Sequence, residues 1–307
     1  MKAVTYQKYG TPDVLSISDL PKPEPAANEI QVKIHYTTVT SGDVRLRASD
    51  FPSLVWLPAR LIFGLFKPKK QVLGHEFSGV VEEVGQDVSK FKVGDEVIGT
   101  TTMLPMGSYA EYVKVPEKWK SGVIHSKPNS LSFEESAALP IGSMTALFLL
   151  DKSGLDSKKT ALIYGASGSV GTSAVQIAKI MADSVSAVCG SRNTEMVKKL
   201  GAASVMDYAN DEYLKTDERY DVIFDAVGKM KKSNAKKLIR PGGKFVSVNM
   251  ITGEKEEHIS QIVRWADEGK IVPVIDREYS LQDVPDAHRY VDTGRKIGNV
   301  VIKVHDT

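Results

Sequence analysis

The sequence predicts an α/β protein of two domains, one built on a mostly antiparallel β-sheet and one on a doubly wound parallel sheet. Three observations carry this. Up to about residue 125, short β signals follow one another with turns between them and no helical period. After Pro128, strands and helices alternate. The apolar run Ala161-Leu162-Ile163 meets a glycine-rich turn, Gly165-Ala166-Ser167-Gly168-Ser169-Val170-Gly171, that opens a helix. A chain of 307 residues is long enough to fill two such cores.

In the first region, strands are expected at Ile30–Ile34, Gly79–Val84, Glu96–Ile98 and Tyr109–Val115. Pro21, Pro23, Pro25, Gly74, Gly94, Gly107 and Pro116 punctuate them. The apolar stretch Phe51–Phe66, broken by Pro58 and Arg60 and followed by Lys67, Lys69 and Lys70, is too short to span a bilayer. It reads as a buried segment, with a flap over a substrate pocket or a membrane-surface contact as the alternatives. Ser132-Phe133-Glu134-Glu135 is a capping-box pattern ahead of a helix running towards Ala138. Strands follow at Thr160–Tyr164, Val185–Cys189, Ser204–Asp207, Asp221–Ala226 and Lys244–Asn249, and helices at Ser169–Met181, Thr194–Leu200, Ser233–Ile239 and Ile259–Glu268. In the first of these helices Val170, Ala174, Ile177, Ala178 and Met181 share one face. Arg240-Pro241-Gly242-Gly243 reads as a turn between a helix and a strand, and Gly298–Val304 as a late strand that returns to the first domain. The expected division is 1–126, completed by 272–307, and 127–271.

Composition narrows the function classes. Forty Lys and Arg against 38 Asp and Glu leave a net charge of +2, which argues against nucleic acid as the partner. The single cysteine, Cys189, rules out an internal disulfide or a cysteine-rich zinc site, and its apolar strand makes it a buried filler. The amino terminus has no apolar secretion segment, so a cytoplasmic protein without stable membrane insertion is expected.

The glycine-rich turn has the features that hold a dinucleotide. Glycine lets backbone approach a pyrophosphate, and the helix start offers free N–H groups and the positive end of its dipole. The match reads A-x-G-x-x-G, with Ala166 at the first glycine position. A plain strand-to-helix turn is the alternative. The second strand ends in Cys189-Gly190-Ser191-Arg192-Asn193, without the acid that takes the ribose 2′-hydroxyl of NAD. Ser191 and Arg192 suit a 2′-phosphate, and Tyr208 offers a phenol or a stacking face, so NADP is the expected cofactor.

Several blocks, in order, resemble one family. They are Val72-Leu73-Gly74-His75-Glu76-Phe77-Ser78-Gly79 continuing to Gly85, Phe91-Lys92-Val93-Gly94-Asp95-Glu96-Val97, Gly107-Ser108-Tyr109-Ala110-Glu111-Tyr112, Ala137-Ala138-Leu139-Pro140, Thr145-Ala146 and the Gly165–Gly171 turn. Over nearly its whole length the chain resembles the medium-chain dehydrogenase/reductase superfamily, in its zinc-free quinone oxidoreductase branch. The resemblance implies a GroES-like catalytic domain around a Rossmann domain, an active site in the cleft between them, and a homodimer paired through the sheet edge at Phe245–Asn249.

It also implies site residues. Ser167, Gly168, Ser169, Val170 and Gly171 would hold the pyrophosphate through backbone amides. Thr145, Ala226, Val227, Asn249 and Met250 would line the nicotinamide. Thr40, Asp43 and His75 would face it, Thr40 orienting an acceptor carbonyl. Asp43 reads also as a turn or cap residue, and His75 as a relic bonded to Glu76 or to backbone. The positions of the alcohol dehydrogenases' catalytic zinc ligands correspond to Thr40, His75 and Ile141, which cannot form that set, so no metal is expected. Without a Lewis acid, simple alcohols are poor substrates, whereas quinones and α,β-unsaturated carbonyls accept hydride directly. No tyrosine lies between Tyr36 and Tyr109, which points to water or cofactor hydroxyls as the proton source. The implied activity is NADPH-dependent reduction of quinones or enones. The alternatives are a zinc-free aldehyde or ketone reductase, or an NADPH-binding sensor with little turnover.

Overall fold

A computed structural model describes residues 1–306. The chain forms two compact units, Met1–Pro140 together with the chain from Ile275 onward, and Ile141–Val274. The first unit contains β1 (Lys2–Thr5), β2 (Ser16–Asp19), β3 (Glu29–Thr38), α1 (Ser41–Ala48), α2 (Ser53–Phe63), β4 (Glu76–Val84), β5 (Glu96–Thr100), β6 (Tyr112–Pro116), β7 (Ile124–Ser126) and α3 (Phe133–Ala137). Helix α4 (Pro140–Ser153) leads into β8 (Thr160–Tyr164), α5 (Ser169–Met181), β9 (Ser184–Cys189), α6 (Thr194–Lys199), β10 (Ser204–Asp207), β11 (Tyr220–Asp225), α7 (Lys232–Leu238), β12 (Ile239–Ser247) and α8 (Glu256–Asp267). The chain then completes the first unit with β13 (Ile275–Ser280), α9 (Val284–Asp292) and β14 (Asn299–Lys303).

The first unit is a seven-stranded sheet, antiparallel except where β13 lies parallel to β14, plus the β1–β2 pair. The long β3 organises it. One edge of β3 pairs with β4; the other is shared, residues 29–33 with β6 and residues 36–38 with β14. Alternate residues of β3 (Ile30, Val32, Ile34) pack with Phe77, Val97, Val113 and Ile124 on one face, as period-2 patterning dictates. A second core gathers Tyr6, Leu73, Tyr109, Val284 and Ile302.

The second unit is a five-stranded, all-parallel sheet in the order β10-β9-β8-β11-β12. The chain runs outward from β8 to one side and then crosses to the other. The carboxyl ends of β8 and β11 therefore flank the point where strand order reverses, which is where doubly wound sheets bind ligands.

Three expectations change on contact with the structure. Phe51–Phe66 is not buried: it forms α2, and Trp56, Leu57, Leu61 and Ile62 are exposed. Phe51 and Phe63 reach the adjoining core, because Arg60 is drawn onto the ring of Tyr9 and fixes which flank faces inward. Arg240–Gly243 does not separate a helix from a strand but interrupts β12. Tyr220 pairs with Ile239 and Val222 with Lys244, so the Pro-Gly-Gly stretch loops out of a ladder that resumes beyond it. Helix α5 is buried on more than the expected face. Gln176 is buried too, and it exchanges hydrogen bonds with the backbone of Val272 (Nε2 to O 3.0 Å, N to Oε1 2.9 Å).

Candidate functional site

The second unit carries the dinucleotide features at the carboxyl ends of its strands. Gly165, at φ 81°, makes the tight turn out of β8. A Cβ there would sit 2.1 Å from Cγ2 of Val227, so this glycine also lets the loop after β11 close in. The turn role thus falls to Gly165, and the alanine at 166 is tolerated because its position is buried and asks for no positive φ. Gly171 packs α5 onto the turn, where a Cβ would lie 2.1 Å from the Gly165 carbonyl oxygen.

Gly168 differs from both. It is the N-cap of α5, and a Cβ there would meet nothing nearer than 3.9 Å. Protein packing does not demand glycine at that position, and its absent side chain leaves room for a ligand to approach the backbone closely. The N–H groups of Ser169, Val170 and Gly171 belong to the first turn of α5, which has no intrahelical acceptors for them, and Thr172 begins the ladder by donating to Gly168 at 2.8 Å. Ser167 is half-buried on the approach to this turn. These features fit a pyrophosphate.

The neighbouring loops are tied in place. Buried Asp225 accepts from the backbone N–H groups of Val227 (3.1 Å), Gly228 (2.8 Å) and Met230 (3.1 Å), and Asn249 donates to the Gly228 carbonyl at 2.8 Å. Ala226, Val227, Asn249 and the adjacent Met250 are therefore brought together beside Gly165. Thr145 lies on α4, whose Gly142 abuts Ser169 in the first turn of α5. Ser191 and Arg192 stand exposed on a short 3₁₀ turn, and neither has an ion-pair partner among the described residues. The ring of Tyr208 lies against Gly190 at the same turn, 3.3 Å from where a Cβ would be.

The first unit carries Thr40, Asp43 and His75, and these three are in direct contact. Thr40 is the N-cap of α1 and Asp43 its N3 residue. The Asp43 N–H donates to Thr40 Oγ1 at 3.1 Å, and Thr40 donates its N–H (2.9 Å) and hydroxyl (2.6 Å) to Asp43 Oδ2. The other oxygen, Oδ1, accepts from Gly74 N–H at 2.8 Å and from His75 Nδ1 at 2.7 Å. Gly74, at φ 96°, turns the chain so that both donors face the same oxygen. His75 thus binds Asp43 and not Glu76, whose carboxylate instead accepts from Thr38 Oγ1 at 2.5 Å.

Asp43 is fully buried. Burial works to raise its pKa, but His75, Thr40 and His288 outweigh it and hold the carboxyl well below its usual range. Its surroundings were not legible as a motif. Tyr109 hydrogen-bonds Asp43, and its hydroxyl lies 3.2 Å from His288 Nε2. His288 Nδ1 is 3.2 Å from Arg47, which also reaches Asp292 at 2.9 Å. Arginine only donates, so His288 Nδ1 accepts and Nε2 carries the proton. Burial and Arg47 lower the His288 pKa to about 3 against the pull of Asp43, so it stays neutral. Tyr109, pushed well above 10 by burial and by Asp43, stays a phenol. Every neighbour of Asp43 is then a donor, which fixes His75 with Nδ1–H inward. Its Nε2, on a side chain 22% exposed, has no hydrogen-bond partner among the described residues.

Known proteins place the chain. Residues 26–128 match the family model described as alcohol dehydrogenase GroES-like domain, and residues 169–281 the one described as zinc-binding dehydrogenase. A 2-methylene-furan-3-one reductase of Solanum lycopersicum is 32% identical, over 98% of this chain and 79% of that protein. An NADPH-dependent alkenal/one oxidoreductase of Arabidopsis thaliana, chloroplastic, is 29% identical over the same shares. The structure of the quinone oxidoreductase from Coxiella burnetii superimposes with a TM-score of 0.84 at 27% identity, covering 99% of both chains.

Proposed function

The chain belongs to the medium-chain dehydrogenase/reductase superfamily, in its quinone oxidoreductase branch, and from that premise we propose an NADPH-dependent, zinc-independent reductase of quinones and α,β-unsaturated carbonyls. That it is an oxidoreductase follows from its relatives. The cofactor choice is supported by the open Gly168 cradle and by the unpaired Ser191 and Arg192 where an acid would select NAD.

The observation that carries the acceptor class is the donor set around Asp43. Zinc does not fit it. The Thr40 hydroxyl is committed to Asp43, Ile141 offers no ligand atom, and no group of three His, Cys, Asp or Glu gathers among the described residues. The bound cofactor supplies a hydride. The protein's own task is then to place the acceptor and to supply one proton. His75, held through Nδ1 by Asp43, presents Nε2, and in its charged form it gives that proton to the α-carbon left negative when an enone takes hydride at its β-carbon. Because Nε2 is partly exposed, solvent re-protonates it. Asp43 is a positioning residue: it fixes the ring's tautomer and stabilises the imidazolium. Self-association through the outer edge of β12, which has no strand partner among the described residues, completes the reading.

The test is oxidation of NADPH by chelator-treated protein with a quinone, an enone or a saturated aldehyde, and the same set with NADH. Turnover of quinone and enone, insensitive to chelator and at least tenfold slower with NADH, is the expected result. Turnover of the aldehyde alone, or recovery only with added zinc, overturns the proposal.

A further inference from the structure

Helix α2 presents its apolar residues to solvent. Its inward flank is firmly seated. Phe63 stacks on Phe51 with ring centroids 5.9 Å apart, and the Tyr9 hydroxyl donates to the carbonyls of Phe63 (3.1 Å) and Gly64 (2.9 Å). Arg60 lies 3.9 Å over the Tyr9 ring and donates to Ser49 Oγ at 3.0 Å. The opposite flank and the turn after it leave Leu57, Leu61, Ile62, Leu65 and Phe66 exposed, Phe66 by 89%, while Trp56 lies one turn before Arg60 on the inner flank, its ring 5.3 Å from the guanidinium. A surface helix ordinarily shows water its polar side, and a contiguous apolar patch of this kind marks an interaction site.

The charge around the patch identifies what it meets. From Phe51 to His75 the chain has Arg60, Lys67, Lys69 and Lys70 and no aspartate or glutamate, so this short stretch carries more positive charge than the net +2 of the whole protein. Lys67 directly follows Phe66, and Lys69 is exposed with its ammonium on the Leu61 carbonyl at 2.9 Å. Apolar side chains bordered by lysines, on a stretch from Phe51 to His75 without an acid, complement an anionic lipid surface. We propose that α2 and the turn to Lys70 dock the protein peripherally on anionic bilayers. The apolar flank enters the headgroup boundary, and Lys67 and Lys69 meet the lipid charges. The helix has eleven residues and cannot span the membrane.

Vesicle flotation of the full chain tests this, with phosphatidylcholine alone or mixed with phosphatidylglycerol. Expected are binding to the mixed vesicles, at least tenfold weaker binding to the neutral ones, and release by added salt. Leu61→Ser with Phe66→Ser, and separately Lys67→Glu with Lys69→Glu, should each weaken vesicle binding at least tenfold while circular dichroism and NADPH oxidation with a water-soluble quinone stay unchanged. Absence of vesicle binding by the parent protein overturns the proposal. So does light scattering that shows a dimer which Leu61→Ser with Phe66→Ser dissociates, because the face is then a subunit interface. A raised KM for the soluble quinone with vesicle binding unchanged also overturns it, because α2 is then a pocket wall.

Discussion

Asp43 Oδ1 accepts the Nδ1–H of His75 at 2.7 Å, and every other group around that carboxylate is also a donor. The pair therefore has one polarity, with a buried anion behind and a partly exposed imidazole in front. Replacing His75 by Gln keeps a donor for Asp43 but removes the mobile proton. Enone turnover should fall roughly 100-fold. Quinone turnover should fall less, because oxygen, unlike carbon, is readily protonated by water. Asp43→Asn should cost a similar factor, and the double variant no more than the worse single one. Steady-state kinetics with both acceptors check this.

Two glycines three residues apart should fail differently. Gly171→Ala drives a Cβ to 2.1 Å from a backbone oxygen, so the second unit should lose stability by a few kcal/mol, on the order of overpacking costs. Gly168→Ala meets no protein atom within 3.4 Å and should leave Tm unchanged while weakening NADPH binding at least tenfold. Thermal melts together with fluorescence titration separate the two.

Arg192→Ala should lower the preference for NADPH over NADH at least tenfold without a change in Tm, since the side chain is exposed and unpaired among the described residues. The ratio of kcat/KM values for the two cofactors is the readout.

Acid should destabilise the first unit through His288. Its folded pKa is about 3, against 6.5 for the free side chain. Between those values the unfolded chain binds a proton there and the folded chain does not, so stability falls as pH drops through that window. Asp43 acts at the lower end. Its depressed pKa contributes stability above the ordinary carboxylate range, and this is lost below it. His288→Gln should flatten the dependence between pH 6 and pH 4 by up to about 1.4 kcal/mol per pH unit, seen in urea midpoints across pH.

The parallel sheet was legible because its strands have short apolar centres between strong turn signals; β8, β10 and α5 have the bounds the pattern predicts. Turn chemistry misled at Arg240–Gly243, since a Pro-Gly-Gly loop inside a strand reads the same as one between elements. Thr40, Asp43 and His75 were found by resemblance, and their mutual contact was not visible. Tyr109, His288 and Arg47 were missed altogether: they come from β-rich and late helical segments far apart in sequence, and only the packing of α9 against α1 unites them. A histidine and an arginine on apolar helix faces gave the one available hint, because such groups are buried only when partnered.

The pairing of Val301 with Thr38 orders events during synthesis. Strand β3 emerges from the ribosome before the parallel-sheet unit, but the neighbour that completes its second edge emerges after it. The whole parallel-sheet unit lies between them in one uninterrupted stretch. That inserted unit can close while the chain is still growing, whereas the surrounding sheet keeps an open edge until β14 has followed. The outer sheet is therefore finished only after the unit inserted into it.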